Sequence, residues 1–380
     1  MTKARNIAEL ANDISVDNNR DVTLSNLRSD QPMMFRNRII NGDMRISQRY
    51  GEANPQNNAG GSYHVDRFGM YYLGNSYTTQ QSTTAPDGFL HSLKLTVDGT
   101  TTPTYSFFGQ RIEGLNVAHL GFGKSWAKTI TISFWVRSSV TGVYSIAVTN
   151  GNGDRAYAVQ YTINAADTWE QKTATIAGDT TGTWLVNNAN GLYLRFNLGS
   201  PSGRLISADS WQAANADGAT SSTGADTWAT TSGATFYITG VQLEEGTVPT
   251  PFEHRPYGTE LALCQRYFER INGTDTNIGT GTNYNNSDFS LSVKLSVEKR
   301  ADSIAVSTSA DGGTLFTAYG TNASGSTYPW QTSSPTINKT GNRHSVQYSH
   351  NITGSSAGGP GTAVMAFLRT NQYIDISAEL

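Results

Sequence analysis

Short runs in which apolar and polar residues alternate, separated by turns rich in glycine and asparagine, are the strongest constraint on how this chain folds. In the clearest run, Thr129–Val136, every second residue is apolar and Trp135 lies on the opposite face. This two-residue period predicts a strand with one face in a core. Similar runs follow at 143–149, 157–163, 169–176, 191–198 and 235–243. No helical pattern alternates with them, so we predict an antiparallel β-sandwich or jelly roll.

The low charge of the chain excludes several other classes of protein. Only 15% of the 380 residues are charged, and 27 Lys and Arg against 30 Asp and Glu leave a net charge of −3. Ordinary globular proteins have ~25% charged residues. The composition disfavours helical bundles and coiled coils. Because the chain lacks a basic surface and has no run of ~20 apolar residues, neither nucleic-acid binding nor membrane insertion is expected.

The N-terminal part of the chain differs from the rest. The apolar residues Ile7, Leu10 and Ile14 recur at helical spacing, which predicts a short amphipathic helix over residues 3–14. The segment lacks the apolar region of a secretion signal, and Cys264 is the single cysteine. An internal disulfide is therefore excluded, and we expect Cys264 to be buried as a small apolar residue.

Changes in sequence pattern predict the domain boundaries. A proline-rich strap at 247–256 ends the first β region, and a short helix leading into a strand is expected over 260–271. The composition of residues 200–233 predicts a long low-complexity loop. This loop is either functional or an ordered surface segment held in place by Trp211 and Trp228. We therefore predict an N-terminal segment at 1–35, a jelly roll at 36–258 and a C-terminal β-sandwich head at 259–380.

Several stretches of the sequence resemble bacteriophage tail-fibre and minor tail structural proteins. Residues 37–49 (NRIINGDMRISQR) and 63–68 (YHVDRF) are similar to the start of such proteins. Residues 236–246 (FYITGVQLEEG), 251–256 (PFEHRP) and 260–268 (ELALCQRYF) are similar to the segment that closes their carbohydrate-binding-module-like jelly roll. The final stretch, 373–380 (YIDISAEL), resembles their last strand.

This resemblance implies a virion protein that is made in the host cytoplasm and acts in the phage tail. It implies a non-enzymatic, usually homotrimeric fibre or adhesin that attaches the virion to the host cell. Residues 1–35 would be the anchor to tail proteins of the nozzle, adaptor or baseplate, and the β domains would bind host cell-surface polysaccharide. Two alternatives stay open: a purely structural connector or decoration protein, and a polysaccharide depolymerase.

The sequence offers few candidates for a metal site or for catalysis. Jelly-roll modules of the resembled kind often hold a structural calcium ion, for which Asp43 and Glu244 are the first candidates, but Thr239-Gly240 stands where an acidic pair is common. We expect no cofactor and no catalytic residues. Glu244 and Glu245 alternate between strand faces, so they cannot form the carboxylate pair of a glycosidase. His64 and Asp66 share a strand face without a nucleophile motif, which favours a structural role.

Aromatic and amide residues in the predicted head are the first candidates for a glycan-binding surface. Aromatic rings stack on the C–H faces of sugars, and amides can hydrogen-bond hydroxyl groups. A polar loop is expected over 319–330, and burial of its aromatic residues in the core or in a trimer interface is the alternative. The predicted glycan-binding residues are Tyr319, Asn322, Tyr328, Trp330 and Asn342.

Overall fold

The alternating segments form strands in the computed structural model of the protein, which is all-β with antiparallel sheets. Its contacts divide the chain into two units, residues 1–36 and residues 37–380. The structure describes residues 14–16, 22–24, 35–53, 56–57, 61–200, 205–213, 222–273, 276–283, 288–309, 316–321, 327–331, 338–341, 344–351, 363–368 and 372–380.

The N-terminal unit contains one described hairpin. Its strands are β1 (Ile14–Val16) and β2 (Val22–Leu24), which pair antiparallel. Ile14, the last position of the predicted helix, is therefore the first residue of a strand. Residues 3–13 of that helix lie outside the described residues.

Two sheets form a sandwich from the first part of the second unit. The seven-stranded sheet has the order β14-β11-β10-β13-β8-β5-β4, and the six-stranded sheet has the order β12-β9-β15-β7-β6-β3. The strands are β3 (Gln56–Asn57), β4 (Ser62–Val65), β5 (Phe68–Leu73), β6 (Tyr77–Ser82), β7 (Ser92–Val97), β8 (Tyr105–Glu113), β9 (Ile130–Ser138), β10 (Gly142–Asn150), β11 (Arg155–Ile163), β12 (Glu170–Ile176), β13 (Asn190–Asn197), β14 (Gln212–Ala213) and β15 (Thr235–Glu245).

The core lies between these two sheets, as the two-residue period predicts. Every apolar position of the alternating run in β9 is at most 1% exposed, whereas Trp135 on the other face is half-buried. Phe134 of the six-stranded sheet meets Phe196 of the seven-stranded sheet edge to face at 5.1 Å. Phe108 stacks on Phe196 at 4.8 Å. Aromatic contacts of this kind add to the stabilisation that comes from buried apolar area.

Two short helical segments interrupt the sandwich. Helix α1 (Gly114–Val117) and a 3₁₀ turn (Ala118–Leu120) connect β8 of one sheet to β9 of the other. Helix α2 (Thr223–Ala229) lies within the region predicted to be a loop, which corrects that prediction for its second half. Trp228 of α2 is fully buried, and the Trp211 indole donates a hydrogen bond to the Ala177 carbonyl at 2.7 Å. Both tryptophans therefore hold this region in place.

The C-terminal part begins with the predicted helix and strand, here α3 (Tyr257–Gln265) and β16 (Phe268–Asn272). A three-stranded sheet has the order β16-β25-β19, and a seven-stranded sheet has the order β21-β20-β24-β17-β18-β23-β22. Their other strands are β17 (Thr276–Asn283), β18 (Asp288–Lys294), β19 (Ala305–Thr308), β20 (Phe316–Thr321), β21 (Thr327–Gln331), β22 (Asn338–Gly341), β23 (Ser345–Asn351), β24 (Ala363–Leu368) and β25 (Tyr373–Ser377). In the described parts of the chain, no helix is long and apolar enough to cross a membrane.

Buried ion pairs connect the sandwich to the residues that follow it. Glu113 of β8 accepts hydrogen bonds from the Arg266 guanidinium at 2.7 and 3.0 Å and from the Tyr267 hydroxyl at 2.9 Å. Arg67 pairs with Glu379, and its guanidinium lies 3.4 Å from the centre of the Tyr267 ring. Cys264 is buried at the same junction, as its sequence context predicts.

Candidate functional site

An apolar cleft lies at the end of the sandwich where the chain passes from β8 to β9. One wall comes from the segment between those strands, and the other comes from the loop that leads into β13. The cleft has a volume of about 150 Å³, and its floor includes the buried Leu120 and Leu192. Apolar concave sites with few polar groups are the usual form of small-molecule sites in proteins.

Trp126 forms the exposed side of the first wall. The 3₁₀ turn ends at Gly121, whose φ of +64° is in the left-handed region that glycine adopts without strain. The Trp126 indole lies directly on Gly121, because a Cβ atom at that position would be 2.1 Å from the ring. The indole is nevertheless 58% exposed, so the ring is held on one side while the other side remains open to solvent.

Trp184 forms part of the opposite wall and is held by other aromatic residues. It meets Phe122 edge to face at 4.7 Å and Trp211 at 5.5 Å. The Trp184 indole N–H donates to the Thr181 carbonyl at 3.2 Å. Gly123 leaves room for the ring, since a Cβ there would lie 3.1 Å from Trp184 Cδ1. The position of this ring is therefore fixed before any ligand arrives.

A buried ion pair supports the loop that carries Trp184. Arg155 donates to both Asp179 carboxylate oxygens at 2.7 and 2.8 Å, and its side chain packs against Gly182. Burial opposes ionisation of Asp179, but hydrogen bonds from Arg155 and Thr181 outweigh it and lower the pKa of the carboxyl group. The carboxylate thus stays charged and paired, and the loop has a fixed anchor.

These features suit the cleft to stacking against a flat apolar surface. Val186, which is 59% exposed, and Trp126 are the large apolar side chains at its mouth, and Leu115 nearby is 57% exposed. Exposed apolar side chains that cluster in this way often mark a binding site. Lys124 is the charged residue among those that line the cleft.

Replacing Gly121 with alanine tests whether this glycine positions Trp126. We expect a loss of roughly 2–4 kcal/mol in the free energy of unfolding, because the left-handed backbone and the contact with the indole both oppose a Cβ. Gly233 is a matched control, since its φ is +77° and nothing lies within 4 Å of a Cβ there. Gly233→Ala should cost only about 1–2 kcal/mol. Equal losses of unfolding free energy in the two variants, measured by urea unfolding, would show that the position of Trp126 does not depend on Gly121.

The structure describes three of the five glycan-binding residues predicted in the head. Tyr319 lies in β20, and Tyr328 and Trp330 lie in β21, so the expected loop is in part a β-hairpin. Tyr319 pairs with Pro329, which lies between Tyr328 and Trp330 in β21. The position of Tyr319 is therefore on one face of the hairpin, and the positions of Tyr328 and Trp330 are on the other. Asn322 and Asn342 lie outside the described residues.

The two carboxylates considered for calcium have other partners. Asp43 pairs with Arg45 at 3.0 Å, and burial raises the pKa of its carboxyl group. Glu244 accepts hydrogen bonds from the Thr250 backbone N–H at 2.8 Å and from its hydroxyl group at 2.6 Å. No group of three or more His, Cys, Asp or Glu side chains that could hold a metal ion occurs among the residues described.

His64 and Asp66 have structural contacts, as predicted. The His64 ring stacks on Tyr50 at 4.4 Å. The Asp66 carboxylate accepts hydrogen bonds from the Gln48 backbone and side-chain amides at 3.1 and 2.5 Å. The two residues thus connect the segment that follows residue 37 to β4. This role needs no nucleophile.

Neither Trp126 nor Trp184 is among the site residues that the sequence pattern predicts. They lie in separate irregular segments 58 positions apart, and no periodic pattern links such segments. The sequence feature that could have identified Trp126 is its immediate surroundings. The segment Gly121-Phe-Gly-Lys-Ser-Trp126 places an aromatic residue near two glycines, a composition typical of a tight, exposed turn.

Comparisons with known proteins give partial likenesses of fold. No protein-family model matches the chain, and no curated protein matches it. The enzymatically active domain of tailspike protein 4 of bacteriophage CBA120 is 14% identical with a TM-score of 0.31, and the match covers 56% of this chain and 22% of the tailspike chain. The match therefore spans less than a quarter of the tailspike's length.

Two smaller binding modules are similar over about half of this chain. The family 11 carbohydrate-binding module of a cellulosomal cellulase of Clostridium thermocellum is 15% identical with a TM-score of 0.26, covering 53% of this chain and 98% of that one. The N-terminal cellulose-binding domain of a Cellulomonas fimi β-1,4-glucanase is 12% identical with a TM-score of 0.24, covering 48% and 91%. The all-β class of this chain is defined by its own sheets.

Proposed function

We propose that this protein is a non-enzymatic phage tail fibre or adhesin that binds glycan on the host surface through the cleft between Trp126 and Trp184. The observation that carries the proposal is the pair of indoles that line a small apolar cleft, Trp184 fixed by aromatic contacts and Trp126 58% exposed. Attachment to the tail through residues 1–35 and a trimeric assembly belong to the same proposal and rest on the sequence resemblance.

The chemistry of the cleft supports a sugar as its ligand. A sugar ring has C–H groups on its faces and hydroxyl groups at its edge, so it can stack on an indole while its edge remains hydrated. Because Trp126 and Trp184 are already held by Gly121 and Phe122, binding costs little side-chain entropy. Individual sites of this size bind weakly, and several copies on one virion would multiply the avidity.

The surroundings of the buried carboxylates support binding without cleavage. Glu113 is paired with Arg266, and Glu260 with Arg255 at 3.2 Å. Asp179 is held by Arg155. A glycosidase needs two carboxyl groups facing one another across a bound sugar. These three carboxylates are instead each paired with an arginine.

Trp126→Ala is the direct test of the proposed function. We expect binding of the full chain to purified envelope polysaccharides from a panel of bacterial strains to weaken at least tenfold, because the stacking surface is lost. The matched control is Trp169→Ala, since Trp169 is half-buried and packs on Tyr237 at 6.2 Å, away from the cleft. Glycan binding that survives Trp126→Ala unchanged would contradict the proposal.

The same measurement separates the cleft from the site predicted in the head. A Tyr328→Ala, Trp330→Ala double variant should keep its glycan binding if the cleft is the main site. Loss of binding in the double variant together with full binding by Trp126→Ala would move the site to the β20–β21 hairpin. A reducing-end assay on the incubated polysaccharide should show no new ends, and their appearance would contradict the non-enzymatic role.

A further inference from the structure

The cleft has room for about one sugar ring. Its volume is about 150 Å³. Cavities that enclose drug-sized ligands measure ~300–1,000 Å³. The inner end is closed by tight backbone packing, because a Cβ on Gly191 would lie 2.4 Å from Gly114 Cα. A glycan therefore places a single ring in the cleft and leaves the rest of its chain outside.

The closed inner end favours the last ring of a glycan over an internal one. An internal ring has linkages at two positions, and both would have to leave through the one open side of the cleft. A terminal ring has a single linkage and can enter with its free edge first. The size and the closure of the cleft together therefore favour a chain end.

The walls of the cleft have little capacity left for hydrogen bonding. The Gly121 backbone N–H donates to the Ala118 carbonyl at 3.2 Å. The Leu120 carbonyl accepts from the Lys128 N–H at 2.8 Å. The polar groups of a bound sugar must therefore find their protein partner at the mouth of the cleft.

Lys124 supplies that partner. Its side chain is exposed and lines the cleft, and no carboxylate lines the cleft with it among the described residues. Within the same residues, Lys124 has no acidic group within ion-pair distance, whereas the neighbouring Lys128 pairs with Glu245 at 2.8 Å. An ammonium group binds a carboxylate more strongly than a neutral hydroxyl, because the two opposite charges attract in addition to the hydrogen bond.

We infer that the cleft receives a terminal sugar residue that bears a carboxylate, with its ring between Trp126 and Trp184 and its acid group at Lys124. This inference rests on the proposed glycan binding and specifies the ligand class of that site. The relevant ligands are uronic acids and other acidic sugars at the ends of surface glycans.

Saturation-transfer NMR on the full chain tests the charge preference, with D-galacturonate and D-galactose as probes. We expect galacturonate to bind about fivefold more tightly, the advantage that an exposed ion pair gives over contact with a neutral group. Lys124→Gln should abolish the difference, and 0.5 M salt should reduce it. Lys128→Gln is the matched control and should leave the difference intact. Equal binding of the two sugars, or a preference that survives Lys124→Gln, would overturn the inference.

Polygalacturonate tests the preference for a chain end. At equal total uronate, it should compete far less well than free galacturonate, because nearly all its rings are internal. Equal competition per residue would overturn the terminal specificity. If neither monosaccharide binds but Trp126→Ala still weakens polysaccharide binding, the inference fails and the proposed function stands. If Trp126→Ala has no effect on any glycan, the proposed function itself fails.

Discussion

Replacing Arg67 with alanine should lower the free energy of unfolding of the protein by about 3–5 kcal/mol, because it removes the nearer of the two arginines that pair with the buried Glu379 carboxylate and leaves Arg49 at 3.7 Å. The Arg67 side chain is 2% exposed and that of Glu379 is 9% exposed. The Arg67 guanidinium also donates to the Arg111 carbonyl at 2.6 Å and stacks on Tyr267. One substitution therefore removes an ion pair and a cation–π contact between the sandwich and the C-terminal residues, together with a hydrogen bond within the sandwich.

Substitution of an arginine in an exposed ion pair shows whether the loss of stability in Arg67→Ala depends on burial. Arg137 pairs with Asp167 at 3.3 Å, but the Asp167 side chain is 56% exposed. Exposed ion pairs contribute ~0–1 kcal/mol, so Arg137→Ala should change the free energy of unfolding by less than 1 kcal/mol. Urea unfolding followed by circular dichroism measures both variants. Losses of similar size in the two would show that the buried position of Arg67 does not matter.

The fold was largely predictable because its strands carry apolar residues at alternate positions on the face that meets the opposite sheet. In β9, the apolar residues at alternate positions are buried between the sheets as predicted, although Thr131 and Ser133 on the other face are buried as well. Helix α2 was missed because its residues, rich in alanine, threonine and glycine, have no such period. Its position depends on the burial of Trp228, which is a tertiary contact.

The candidate site could not be predicted in the same way. Trp126 and Trp184 line one cleft because the segment between β8 and β9 lies beside the loop that leads into β13, and the sequence does not state which segments are neighbours. Exposure is also decided by packing: Trp126 is 58% exposed and Trp228 is fully buried, although both lie in polar segments. The predicted aromatic residues Tyr328 and Trp330 were chosen from composition, and their role stays a prediction.

His64 and Asp66 should give the protein opposite pH responses that nearly cancel. Burial, assisted by the nearby Arg49, lowers the pKa of His64 from 6.5 to about 4. The unfolded chain therefore binds more protons between those values, and stability falls as the pH falls from 6.5 to 4. Burial raises the pKa of Asp66 from 3.8 to about 6, so the folded state binds more protons there, and stability rises as the pH falls from 6 to 3.8.

Removing one of the two groups should expose the response of the other. In Asp66→Asn, only the His64 response remains, so the free energy of unfolding should drop by about 3 kcal/mol, relative to the wild type, between pH 6.5 and 4. In His64→Gln, the free energy should instead rise relative to the wild type by a similar amount over the same range. Urea unfolding at half-unit pH steps measures both differences, and the double variant should again follow the wild type. A constant offset between Asp66→Asn and the wild type at every pH would refute the raised pKa of Asp66, because only a group whose pKa changes on folding alters the pH slope.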